Sequence, residues 1–356
     1  MNLRSSIRCF LLVAFLLYLP CRIHTLAQET SKPPGANYEG KAFTFQKIQD
    51  DIYHAIGTGN LAVWCNAAII INSDDVLIVD SHVSPAAAWA LLRELKSITS
   101  KPVRYVINTH FHFDHVHGNQ VFPEDVEIIG HEFTREMIAT GKSKSGRAYV
   151  RYAGRVPERI ADLENQLISA ADPEQKVKLQ KQLFIYENYF EATNAVIPTL
   201  PNVTFKRSMT LYRGGREIRL LFLGRGHTGG DVLVYLPKER ILITGDLLTA
   251  GLAYMGDGYL KEWAETLERL KKLEIDVILP GHGEPFAEKE KIDHFQAYLL
   301  DLWEKGVQMH RDGVSAQEAA MKIDMRSHAK NFPRIQEVGV DLHAVLRLYE
   351  LLDEQE

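Results

Sequence analysis

The chain has 356 residues, 46% of them hydrophobic and 24% charged, with a formal net charge of −5 at pH 7. That length and apolar content support a full buried core, as one large domain or two small ones. The mildly acidic balance, with no polybasic run, argues against nucleic acid as the main partner.

The first predicted element is an export signal. Arg4 and Arg8 precede the apolar run Cys9–Leu19, and Thr25-Leu26-Ala27 presents small residues where a signal peptidase reads. The apolar run is shorter than the roughly 20 residues of a spanning helix, which disfavours an uncleaved anchor. Pro20 before Cys21 disfavours a lipidated cysteine. The expectation is a signal peptide over 1–27, cleavage before Gln28, a periplasmic or secreted protein, and no stable membrane anchor afterwards. Cleavage removes Cys9 and Cys21 and leaves Cys65, so the mature chain has no internal disulfide. Cys65 lies in an apolar run and reads as a small core residue.

Residues 28–42, with Lys32-Pro33-Pro34-Gly35, read as a flexible leader. Phe43–Ile56 and Leu61–Ile71 read as strands, and Val76–Val79 as a short buried strand ending at Asp80. Pro85 opens a helix through Ser97. Val103–Asn108 is a buried strand leading into Thr109-His110-Phe111-His112-Phe113-Asp114-His115. In an extended segment alternate side chains share a face, so His110, His112 and Asp114 would point one way, with His115 at the turn. Imidazole and carboxylate suit zinc and its first-row neighbours. The alternative is a polar loop holding several histidines by chance, each solvated or paired separately.

A strand at Val126–Ile129 and a helix from about Glu132 follow. Residues 140–200 are charged, helix-prone and interrupted by Pro157, Pro173 and Pro198. Glu174–Ala195 reads as an amphipathic helix burying Val177, Leu179, Leu183, Phe184, Tyr186 and Phe190. This is a helical insertion, either a pocket wall or a surface elaboration. Strands return from Val203. Ile218–Leu223 leads into Gly226-His227-Thr228-Gly229-Gly230-Asp231, Ile241–Ile243 ends in Thr244-Gly245-Asp246, and Asp276–Leu279 ends in Pro280-Gly281-His282-Gly283. A helix covers about Lys261–Leu273, and 286–356 is a helical extension with no chemical cluster of its own.

Asp80, His110, His112, Asp114, His115, His227, Asp246 and His282 thus all fall at or after the ends of predicted strands. Strand ends on one rim of a sheet converge in space. In this order and spacing, the five motifs over about 43–285 resemble those of the metallo-β-lactamase superfamily. The resemblance implies a mixed α/β fold, a four-layer αβ/βα sandwich with helices outside. It also implies two metals, with His110, His112 and His227 holding one, Asp114, His115 and His282 the other, and Asp246 bridging. Asp80 would support the ligand loop from behind, and Asp114 would act catalytically by relaying a proton. The usual metal is zinc (two Zn2+ per chain), although the same ligands suit iron or manganese.

The implied chemistry is attack by a metal-bridged hydroxide on an ester, thioester, lactone or amide-like bond of a small molecule. Asp246 resembles the glyoxalase II and lactonase branch, where typical β-lactamases carry Cys or Ser. A class B-like β-lactamase remains the alternative within enzymes. A di-iron redox protein and a non-catalytic metal-binding homologue are alternatives of another class.

Around these motifs, His117 stands where the family often has a small residue and reads as a solvated loop histidine or a pocket group. Arg225 reads as a surface ion pair or a contact for an anionic substrate. Tyr254, Met255 and Tyr259 read as packing or pocket wall. His54, His131, His294, His310, His328 and His343 read as structural or surface histidines.

Overall fold

A computed structural model describes residues 31–354. The expected signal peptide lies outside the described residues. Twelve strands among the described residues form two sheets. The first holds β1 (Phe43–Gln49), β2 (Ile52–Gly57), β3 (Ala67–Ile71), β4 (Val76–Val79), β5 (Val103–Ile107), β6 (Glu127–His131) and β7 (Val203–Phe205), in that order. Pairing is antiparallel from β1 to β4 and parallel from β4 to β7. The second sheet has the order β12-β11-β10-β9-β8, made of β8 (Ser208–Arg213), β9 (Arg216–Leu221), β10 (Leu233–Leu236), β11 (Ile241–Gly245) and β12 (Val277–Pro280). Only β11 and β12 pair in parallel.

The sheets pack face to face. Leu77, Val79, Ile107 and Ile129 of the first meet Leu220, Val234, Ile243 and Leu279 of the second in one buried cluster. Strand alternation turns Val76 and Ile78 the other way, onto Leu91 and Leu95 of α1 (Pro85–Leu95). Ser84 caps α1 by accepting the Ala87 N–H, with Pro85 in the first turn. The outer face of the second sheet is covered by α8 (Leu260–Leu270), α9 (Glu290–Arg311), α10 (Ala316–Lys322) and α11 (Leu342–Asp353), sharing one core with Leu233 and Leu242. The expected αβ/βα sandwich is therefore present, because each sheet has two apolar faces to cover.

Several boundaries differ from expectation. The strand expected over Phe43–Ile56 is a hairpin, broken at Asp51, which takes φ 65°. Leu61–Asn66 is a loop, and only Ala67–Ile71 pairs. Residues 32–42, expected to be a flexible leader, lie against the body. Ala36 packs on Ala86 and Ala192, and Glu94 accepts the Tyr38 hydroxyl at 2.9 Å and the Ala42 N–H at 2.8 Å.

The insertion is helical as expected. After the single-turn helix α2 (Phe113–Val116) and the expected helix from Glu132, α3 (Glu132–Ala139), it comprises α4 (Lys142–Ser145), α5 (Arg147–Arg151), α6 (Val156–Ser169) and α7 (Pro173–Asn194). The expected apolar face of α7 holds only in part, however. Leu179 is buried and Leu183 and Tyr186 are half-buried against α6, but Val177 is 65% exposed and Phe184 and Phe190 are exposed too. The helix pairs mainly with α6 along its middle and meets the body only near its C-terminal end, through Tyr189 and Ala192, so no single apolar stripe runs its length.

Candidate metal centre

The parallel strands β4, β5, β11 and β12 run their C-terminal ends to one rim, where short loops follow. Asp80 follows β4 with φ 67°, a left-handed conformation that costs energy outside glycine. After β5 the chain does not stay extended. Residues 108–112 bend, and α2 begins directly after His112, so Asp114 and His115 stand on a helical turn and not on a strand. The expected alternation of His110, His112 and Asp114 on one strand face is thus corrected. Phe113, buried against Trp64 and Tyr149, and the His115 N–H donating to the His112 carbonyl pull the chain into the turn.

His227 follows β9, and Asp246 and His282 follow β11 and β12. Gly245 has φ 51°, and a Cβ there would lie 2.6 Å from Thr109 Oγ1. Glycine is required because the Asp246 loop runs directly over the His110 loop.

All seven expected ligand residues come together. His112 Nδ1 lies 3.1 Å from His110 Nε2 and 3.0 Å from His227 Nε2. His282 Nε2 lies 3.2 Å from Asp114 Oδ2 and 3.2 Å from Asp246 Oδ2. His115 Nε2 lies 3.5 Å from Asp114 Oδ2 and 3.6 Å from Asp246 Oδ1. Asp246 Oδ2 is also 3.6 Å from His227 Nε2, so this carboxylate reaches both clusters. The groups His110, His112, His227 and Asp114, His115, His282 each have the composition and closeness to hold a metal ion.

The donor atoms favour cations at these points. His115 Nε2 and Asp246 Oδ1 are buried, face each other, and have no hydrogen-bond partner. Orphaned buried polar atoms are costly, and a shared cation would satisfy both. Tetrahedral zinc with imidazole ligands places nitrogens roughly 3.3 Å apart, close to the spacing of the three-histidine group.

The protonation states fit the same picture. Burial, aided by neighbouring imidazoles, holds His110 well below its ordinary range and His227 at about 3, so both are neutral near pH 7. Burial acts the same way on His115 and His282 but is overcome by carboxylates. Asp114, Asp80 and Asp246 raise His115 well above its usual value, while Asp246 and Asp114 push His282 up to about 10. Asp114 and Asp246 are held below the usual carboxylate range by these same imidazoles, against the effect of burial. The two carboxylates thus stabilise positive charge at this point, as they would a metal cation.

The supporting residues reach further than expected. Asp80 accepts from His115 Nδ1 at 2.7 Å, from the Thr109 N–H at 2.8 Å and from Thr109 Oγ1 at 2.8 Å. Asp231, pushed up to about 7 by burial, accepts the Thr228 N–H and Oγ1 and shapes the His227 loop. Asp257, absent from the sequence-based candidates, accepts from His112 Nε2 at 3.1 Å. Its only signal in the sequence is its place between Gly256 and Gly258, which reads equally as a turn.

Cys65 is buried as expected, and its Sγ donates to the Asp114 carbonyl at 2.9 Å. The neighbouring Asn66 N–H donates to the Gly281 carbonyl at 2.7 Å, so this loop ties the second ligand group together. His117, weighed as a solvated loop histidine, is 2% exposed against Tyr149 and Phe113, because α2 turns it inward. Arg225 pairs with Glu262 and stacks on Tyr259, as a surface ion pair. The open edge of the site is at His282, whose side chain is 39% exposed.

The sequence matches the family model of the metallo-beta-lactamase superfamily over residues 63–282. It is 23% identical over 300 residues to a linear primary-alkylsulfatase from Pseudomonas sp. (strain ATCC 19151), covering 78% of this chain and 53% of that protein. It is 26% identical over 261 residues to the 2,4-dinitroanisole O-demethylase subunit alpha of Nocardioides sp. (strain JS1661), covering 72% of this chain and 62% of that one. The chain thus spans between half and two thirds of the length of these two relatives. Among solved structures it is similar to a metallo-beta-lactamase from Pontibacter korlensis, with a TM-score of 0.52 and 20% identity over 72% of this chain and 99% of that one, a likeness of fold.

Proposed function

This chain belongs to the metallo-β-lactamase superfamily, and from that premise we propose that it is an exported dinuclear zinc hydrolase acting on an ester-like bond of a small molecule. The observation that carries this reading is Asp246, whose two carboxylate oxygens face His115 on one side and His227 and His282 on the other. In this reading His110, His112 and His227 hold one metal, Asp114, His115 and His282 hold the second, and Asp246 lies between them. When bound, such a pair supplies Lewis acidity and acidifies a water near neutral pH.

The remaining work falls to the chain's own residues. Asp80 accepts the hydrogen bond of the His115 Nδ1–H, which leaves Nε2 to face the centre. Asp114 Oδ2 lies beside His282 at the open edge, where it can accept a proton and pass it to a leaving group. Phe111 against His112 and Trp263 against His227, both buried, limit water around these imidazoles. No serine, cysteine or lysine nucleophile is needed.

The bonds we favour are ester, thioester and lactone, and the named relatives add an alkyl sulfate to that set. The test is zinc-loaded protein against a panel of these substrates, with a chromogenic cephalosporin as the β-lactamase arm. Turnover well above a chelated control on one ester class supports the reading. Turnover on the cephalosporin alone replaces it with the β-lactamase reading, and none on any member refutes it. For export, mass spectrometry of the extracytoplasmic fraction should find a chain beginning at Gln28, and an intact Met1 chain in the cytoplasm refutes it.

A further inference from the structure

A glycine-flanked loop crosses from the Asp246 side to α8, and three features of it converge on one metal-ligand candidate. Asp257, at its centre, accepts from His112 Nε2 at 3.1 Å. Arg147 on α5 donates to the Gly256 carbonyl at 2.9 Å, and Arg347 on α11 donates to the Gly258 carbonyl at 3.1 Å. Glu350, one helical turn beyond Arg347, accepts from Arg147 Nη2 at 2.5 and 2.7 Å and from Arg347 Nη1 at 3.3 Å. The loop then joins the His227 loop, because the Tyr259 N–H donates to the Gly226 carbonyl at 2.8 Å.

We infer that Asp257 is a positioning residue for His112, and that the C-terminal helix α11 holds it in place through Arg347, Glu350 and Arg147. This rests on the proposed metal at His110, His112 and His227. An imidazole that ligates through Nδ1 carries its proton on Nε2, and a carboxylate accepting that proton fixes both tautomer and ring orientation. Asp257 stands where that acceptor is required.

The carboxylate alone would not stay there. A cavity of about 270 Å³ adjoins the loop, lined by Arg147, Asp257, Tyr259 and Arg347, so side-chain packing does not close this side. The two guanidiniums, each on the carbonyl next to Asp257, supply the constraint that packing does not. Glu350 bridges both guanidiniums and so joins the two constraints. The C-terminal helices, which bring no ligand, thereby act on the metal centre.

The test compares wild type with Asp257→Ala, Asp257→Asn and Glu350→Ala by chelator-competition titration with zinc and by the absorption spectrum of the cobalt-loaded protein. Asp257→Ala should weaken one of two metal equivalents by about 10–100-fold and alter the cobalt spectrum, while the circular dichroism of the chelated chain is unchanged. Asp257→Asn, which keeps an acceptor oxygen, should recover part of the affinity. Glu350→Ala should shift affinity the same way by less. Wild-type affinity and spectrum in Asp257→Ala overturn the positioning role, as does an affinity loss accompanied by loss of structure in the chelated chain. An unchanged Glu350→Ala overturns the part assigned to α11. A wild-type chain that takes up no zinc overturns the metal reading beneath both.

Discussion

Asp80 Oδ2 lies 2.7 Å from His115 Nδ1, and the same carboxylate accepts two hydrogen bonds from Thr109. One buried side chain at the end of β4 thus joins both ends of the histidine stretch. Its backbone φ of 67° shows that the chain holds an unfavourable conformation to aim it. Asp80→Ala should therefore cost more than a lost ion pair. It leaves the Thr109 N–H and the His115 ring unpaired in the interior. We expect a loss of about 1–3 kcal/mol in urea unfolding of the chelated chain, and metal binding weaker by about 10–100-fold. Unchanged values on both axes would refute the role given to Asp80.

Asp246→Ala removes the one carboxylate shared by both ligand groups. Zinc stoichiometry should fall from two towards one, and turnover on the best panel substrate should fall by about 100–1,000-fold, the equivalent of several kcal/mol of lost stabilisation. Atomic absorption on the dialysed protein and steady-state kinetics measure both.

His112→Ala and Asp114→Ala should abolish hydrolysis and leave the chain folded. Each removes a proposed ligand at the rim, outside the cluster Leu77, Ile107, Leu220 and Leu279 that joins the sheets. Near-wild-type circular dichroism with no turnover is the expected result, and full activity in either variant would refute the dinuclear mechanism.

Removing metal should lower the thermal midpoint without unfolding the chain. A ligand held at 1,000 times its dissociation constant stabilises by about 4 kcal/mol. Calorimetry with and without a chelator reads the difference. An unchanged midpoint would show that the centre contributes nothing to the fold.

His54 gives a pH dependence that lies outside the ligand set. Its ring is buried with Nε2 at 3.1 Å from the Pro280 carbonyl, and burial lowers it from 6.5 to about 4. The folded state thus binds this proton less readily than the unfolded chain. The contribution is fully present above pH 6.5 and is lost as pH falls from 6.5 towards 4, by up to about 3 kcal/mol. His54→Gln should flatten the stability profile in that window, measured by urea unfolding at pH 7, 6, 5 and 4.

The candidate ligand residues were legible because their chemistry is concentrated. Three imidazoles and a carboxylate between His110 and His115, followed by histidine or aspartate beside glycine at strand ends, can be read without coordinates. Chain direction was less legible. Asp114 and His115 stand on a helical turn because Phe113 packs against Trp64 and Tyr149, which come from elsewhere in the chain. The error at α7 has a similar origin. Phe184 and Phe190 suggest an apolar face, but only the partner helix shows which side is covered.

The sequence by itself determined the residue types at the centre, their order, and the alternation of strands that brings them to one rim. These depend on local pattern, since each buried strand and the loop after it are encoded in contiguous residues. Tertiary structure alone decided that His117 is buried, that residues 32–42 lie on the body, and that Asp257 reaches His112 across 145 positions. It alone placed Arg347 and Glu350 of the last helix behind that loop. Contacts between distant segments follow from how whole layers pack, and no local pattern carries them.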